Sequence, residues 1–172
     1  LGIKYSKYDD SIPRADYLQW IDNWSLEVKR VMSNEGSLFL NVGASLKDPW
    51  IAMDVARVVA GHFTLQNTFH WIKSISIDGQ DIDGNSNIPE TISVGHYKPI
   101  NSKRYVNDCH EYIFHFTHNG TVEIDRKAVG VPYKHKSNIS RWKSSGTDRR
   151  CRGNNWFIPY QTIMSRSKDR PH

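Results

Sequence analysis

Three stretches carry side chains suited to chemistry on a polyanion. Between Gly95 and Asn107, the side chains of Lys98, Asn101, Lys103, Arg104 and Asn107 surround Tyr97 and Tyr105. Near the start, Lys4, Tyr5, Lys7 and Tyr8 place two cations and two aromatics within five residues. Residues 126–155 are rich in Gly, Ser and Asn, and set Tyr133 and Trp142 among Lys134, Lys136, Arg141, Arg149, Arg150 and Arg152. Nucleic acid asks for this mixture. Arg and Lys meet phosphate charge, Arg and Asn reach guanine and adenine edges in pairs of hydrogen bonds, and flat rings stack on unpaired bases. A solvated basic loop would show the same composition.

Other candidate sites have simpler explanations. Asp78, Asp81 and Asp83 lack the calcium-loop register and the closing acid that such a loop needs. His110, His115 and His118 with Cys109 have no Cys-x-x-Cys beside them, and 110 and 115 fall on opposite faces of a strand, so they are read as core and surface histidines. Glu27-Val28-Lys29 has the Glu-x-Lys order of a nuclease site, but it lies on a helix with its middle residue toward the core. Asp48-Pro49-Trp50 is explained by helix capping.

The elements that must position these residues follow from periodicity. Pro13 opens a helix whose stripe is Tyr17, Ile21, Trp24, Val28 and Val31, with Gly36 as its stop. Ser37–Gly43 is a short apolar run ending in Gly, expected as a buried strand of a parallel sheet. Asp48 caps and Pro49 starts a second helix through Ala60, ended by Gly61. A strand is expected over Thr68–Ile77, and a polar excursion over residues 78–94. Tyr112, Ile113, Phe114 and Phe116 mark a buried strand, Asn119-Gly120 a tight turn, and Val122-Glu123-Ile124 its hairpin partner. Regular structure is expected to resume at Trp156.

Length and charge narrow the class. A chain of 172 residues with 38% apolar residues, six Trp, eight Tyr and six Phe can bury a globular core. No run of about 18 apolar residues and no leader pattern occurs, and two isolated cysteines make no disulfide framework, so a soluble cytoplasmic protein without membrane contact is expected. Residues 1–125 hold 11 Lys+Arg and 16 Asp+Glu, a balance of −5, whereas residues 126–172 hold 12 and 2, a balance of +10. The last quarter is a polycation on an acidic body, which points to nucleic acid.

Six segments in order carry a family resemblance. They are Leu1-Gly2, the helix over 13–34 followed by Leu38-Phe39-Leu40-Asn41, Trp71-Ile72-Lys73, His110-Glu111-Tyr112-Ile113, Gly153-Asn154-Asn155-Trp156-Phe157-Ile158-Pro159, and Arg170-Pro171-His172. Together they resemble the β-class amino DNA methyltransferases, in which the catalytic half precedes the cofactor half. The resemblance implies an α/β fold, part of a Rossmann-like S-adenosylmethionine-dependent methyltransferase sheet with a basic, loop-rich target-recognition segment. It implies methyl transfer to adenine N6, less readily cytosine N4, on a base flipped from double-stranded DNA, of the kind used in restriction–modification.

Two motifs of that family are missing from these residues. The Asp-Pro-Pro-Tyr tetrapeptide belongs just before Leu1, and the Phe-x-Gly-x-Gly motif that binds S-adenosylmethionine belongs beyond His172. No catalytic residue and no metal ligand are therefore assigned. The stretch is expected to be inactive alone, and to meet the missing half of the enzyme, or itself, through exposed apolar surface. The alternatives are a non-enzymatic DNA-binding module or one half of a split enzyme. The expected organisation is a catalytic-half subdomain over 1–125, a target-recognition segment over 126–155 and a return to the core over 156–172. Expected DNA contacts are Lys4, Tyr5, Tyr8, Lys134, Lys136, Asn138, Arg141, Trp142, Arg149, Arg150, Arg152, Asn154 and Asn155, and His172 is the expected cofactor contact.

Overall fold

A computed structural model describes residues 11–44, 46–73, 102–133, 135–137, 139 and 148–158, and the backbone of 76–77 and 92–93. Its elements run α1 (Arg14–Val31), β1 (Leu38–Val42), α2 (Ile51–Val59), β2 (Thr64–Ile72), β3 (Ser76–Ile77), β4 (Ile92–Ser93), β5 (His110–Thr117) and β6 (Asn155–Phe157). Four strands form one sheet in the order β1-β5-β2-β6, and β3 pairs with β4 separately.

The expected parallel neighbours of β1 are not what it meets. β1 and β2 both pair antiparallel with β5, which lies between them, and β2 pairs parallel with β6. It follows that β1, β2 and β6 all run one way and β5 runs against them. A single inserted strand turns a parallel arrangement into a mixed one, and nothing in the apolar run of β1 encodes that neighbour. The same insertion explains why Val122-Glu123-Ile124 forms no hairpin with β5. Both edges of β5 are already taken, so the chain leaves the sheet after Gly120, whose φ is +77°. The Gln66 side chain catches it there, donating to the Val122 carbonyl at 2.6 Å and accepting from the Val122 N–H at 3.1 Å.

Both helices cover one sheet face. Ile21, Ile51, Val55, Ala56, Val59, Phe63, Phe114 and Phe116 form a single buried cluster, with Leu38, Leu40, Val42 and Tyr112 packed against it. The α1 stripe ends at Met32 rather than Val31, which is 68% exposed. After Val28 a step of four keeps the core direction better than a step of three. α1 stops at Val31, and Met32 is extended; the turn that follows is closed by Gly36 N–H on the Ser33 carbonyl at 2.9 Å.

The start of α2 differs in detail from expectation. Trp50, not Asp48, is its N-cap and carries no side-chain cap bond, and the helix begins at Ile51, two residues past Pro49. Instead Arg14 of α1 pairs with both Asp48 and Asp54, and the Asp54 hydrogen bond is the main reason its guanidinium pKa is raised. At the far end His62 meets Asp22 at 2.7 Å. β2 begins at Thr64, four residues before the expected strand, and ends at Ile72; Ser76–Ile77 is a separate short strand. The Asp78, Asp81 and Asp83 excursion lies outside the described residues. Among the described residues no helix is long and apolar enough to cross a membrane.

Candidate functional site

The carboxyl ends of β1, β2 and β6 lie at one edge of the sheet, where open α/β sheets place their ligands. The ladder is extended there by Lys73 N–H on the Cys109 carbonyl at 2.8 Å. Lys73 Nζ then reaches Glu111 Oε1 at 2.5 Å, with both side chains about three-quarters buried. Nζ also lies 5.9 Å from the centre of the Trp71 ring. Trp71 Nε1 donates to the Ile158 carbonyl at 2.7 Å, and Ile158 N–H returns to the Ile72 carbonyl at 3.1 Å.

β1 closes the same edge. Asn41 Nδ2 donates to the Tyr112 carbonyl at 3.2 Å. Gly43 lies directly beside Glu111, whose side chain would be in ordinary contact with any added Cβ. Two segments 38 residues apart, Trp71–Lys73 and His110–Glu111, therefore meet as one charged and aromatic corner. Each was singled out in the sequence as a separate match. Their pairing was not, because it depends on the antiparallel register Trp71↔Glu111.

The histidines of β5 divide between faces as alternation requires. His110 lies beside Tyr112 and His70, with ring centres 4.9 and 6.0 Å away. His115 is on the other face, stacked on Phe39 at 4.5 Å and fully buried. Burial lowers its pKa from the ordinary 6.5.

The described residues around 125–129 and 151–153 stand over that second face. Asp125 Oδ1 accepts from the N–H groups of Lys127 and Ala128, making a turn. Val131 and Arg150 exchange backbone hydrogen bonds at 2.9 and 3.0 Å. Arg149 Nη1 donates to the Ala128 carbonyl at 3.2 Å, and Asp148 accepts from Tyr133 N–H at 3.1 Å. Residues 125–133 and 148–153 are thus clipped together.

The expected DNA contacts that lie within the described residues fall into three groups. Lys136 forms an ion pair with Asp148, and that bond is the largest cause of the lowered Asp148 pKa. Arg149 and Arg150 are exposed, though each is tied to the clip, and Arg152 lies 6.0 Å from the Trp156 ring. Asn154 and Asn155 hold the sheet: Asn154 Nδ2 donates to the Thr68 carbonyl at 3.0 Å, and Asn155 Oδ1 is 3.0 Å from His70 Nδ1. Asn155 already belongs to β6, one residue before the expected return to the core. Lys4, Tyr5, Tyr8, Lys134, Asn138, Arg141, Trp142 and His172 lie outside the described residues.

The chain belongs to the DNA methylase family, the N6/N4 methyltransferases, whose family model matches residues 1–171. A 42-residue stretch is 36% identical to the Type II methyltransferase M.MjaVI of Methanocaldococcus jannaschii. The aligned part is 24% of this chain and 22% of that relative's length.

Proposed function

We propose that these residues form the catalytic-half and target-recognition part of an S-adenosylmethionine-dependent DNA methyltransferase of the β-class order, acting on adenine N6 in preference to cytosine N4. The observation that carries this reading is the meeting of Trp71–Lys73 with His110–Glu111 at the carboxyl ends of three co-directional strands. The Lys73–Glu111 pair ties β2 to β5 and gives that corner a fixed shape. In the proposed enzyme these two are positioning residues: they brace the edge that the flipped base would border. Bound S-adenosylmethionine would supply the methyl group, and His172 is the residue of this chain proposed to lie at its site. The sheet is proposed to be part of a Rossmann-like methyltransferase core.

Neither Asp-Pro-Pro-Tyr nor Phe-x-Gly-x-Gly occurs in the 172 residues, so this stretch by itself is expected to transfer no methyl group. The test is mass spectrometry of nucleosides from DNA incubated with S-adenosylmethionine and the protein of the intact reading frame. N6-methyladenine is the expected product. N4-methylcytosine would correct the base, and no methylated nucleoside would overturn the enzymatic reading.

A further inference from the structure

The sheet face turned away from α1 and α2 carries an open groove of about 630 Å³, inside the range of roughly 300–1,000 Å³ usual for ligand sites. Its floor is aromatic. Phe39 has one ring face against His115 and is still 56% exposed, and Phe69 lies 6.5 Å from Phe39 and 5.2 Å from Trp156. Ile124 and Val129 stand on one wall, each close to half exposed.

The charges at the rim select the occupant. Arg126 and Arg152 both line the groove and are exposed. Asp125 lines it too, but its carboxylate is turned onto the backbone N–H groups of its own loop. The balance is cationic around tilted aromatic rings. A neutral apolar peptide would leave two guanidinium groups unanswered. A base-paired duplex offers no free base face to the rings, whereas an unstacked nucleotide offers both a flat base and a phosphate.

We propose that this groove binds one unstacked nucleotide of a DNA strand, with its base on the rings of Phe39, Phe69 and Trp156 and its phosphate between Arg126 and Arg152. The site is separate from the Lys73–Glu111 corner and rests on the methyltransferase reading only for the choice of DNA. A strand opened to release its target base has unstacked neighbours, and this groove would hold one of them.

Cys151 lines the groove and is exposed, while Cys109 is half-buried elsewhere. This gives a local readout on the intact protein. A short single-stranded oligodeoxythymidine is expected to slow maleimide labelling of Cys151 relative to Cys109 and to bind by fluorescence anisotropy. Phe39→Ala should weaken that binding about 10-fold or more. Arg152→Gln, at an exposed site that does not threaten folding, should lower the slope of log affinity against log salt by about 0.7. Inorganic polyphosphate protecting Cys151 equally well, or a Phe39→Ala protein that binds normally, would overturn the proposal. So would an acidic peptide that protects Cys151 when the oligonucleotide does not. Nucleoside analysis in parallel separates the readings. Methylation without protection removes the groove alone, and protection without methylation removes the enzyme alone.

Discussion

His115 couples the stability of the sheet to pH in a direction the structure fixes. Its Nδ1 lies 3.0 Å from Asn67 Nδ2, and its Nε2 lies 2.9 Å from Ser37 Oγ. The amide nitrogen can only donate, so Nδ1 accepts and the proton of the neutral ring sits on Nε2. Protonation would set an N–H against the Asn67 donor inside the sheet. With the folded pKa below 6.5, the unfolded chain takes up a proton from solvent at His115 that the folded chain refuses. Stability from this residue is therefore complete above about pH 6.5 and is lost as pH falls, by up to about 1.4 kcal/mol per pH unit until the folded pKa is reached. His115→Phe keeps a ring against Phe39 and removes the titration. It also leaves Asn67 and Ser37 without this partner. Ser37 is exposed and can turn to water, whereas Asn67 is half-buried, so the variant should be less stable by about 1–2 kcal/mol near neutral pH. Urea unfolding followed by Trp fluorescence between about pH 5 and pH 8 measures the difference. The gap should narrow on acidification below about pH 6.5. A gap that stays constant across that range would refute the assignment of a neutral, proton-excluding His115.

Further outcomes follow from single contacts. Phe116→Ala removes a fully buried ring between β1 and β2 and should cost about 3–5 kcal/mol in the same urea assay. Gly120→Ala should cost about 1–2 kcal/mol from its left-handed backbone alone. The added Cβ would also fall 2.8 Å from Thr64 Cγ2, so a Thr64→Ser background should recover part of the loss in a thermal melt. For Lys73→Met and Glu111→Gln, a double-mutant cycle on stability should give a coupling of about 0.5–3 kcal/mol. Each single variant should also depress methyl transfer by the intact protein, and full activity in both would remove the proposed bracing role.

Local chemistry made much of this molecule legible in the sequence. The α1 stripe, the existence of α2, the apolar run of β1 and the aromatic run of β5 are all written in neighbouring residues, because burial of one helix stripe or one strand needs only short-range periodicity. The charge balance pointed to nucleic acid, the ordered segments from Trp71-Ile72-Lys73 to Trp156-Phe157-Ile158 resembled those of a DNA methyltransferase, and the family match over residues 1–171 agrees. Tertiary structure decided what those segments meet. Only the insertion of β5 between β1 and β2 made the sheet mixed, joined Lys73 to Glu111 and denied Val122–Ile124 a strand partner. The same register turned Phe39, Phe69 and Trp156 onto one face under Arg152. Phe39 between Leu38 and Leu40 was the sequence's hint that both faces of β1 are apolar, but which distant residues share a face is set by strand order and register, and neither has a local signature.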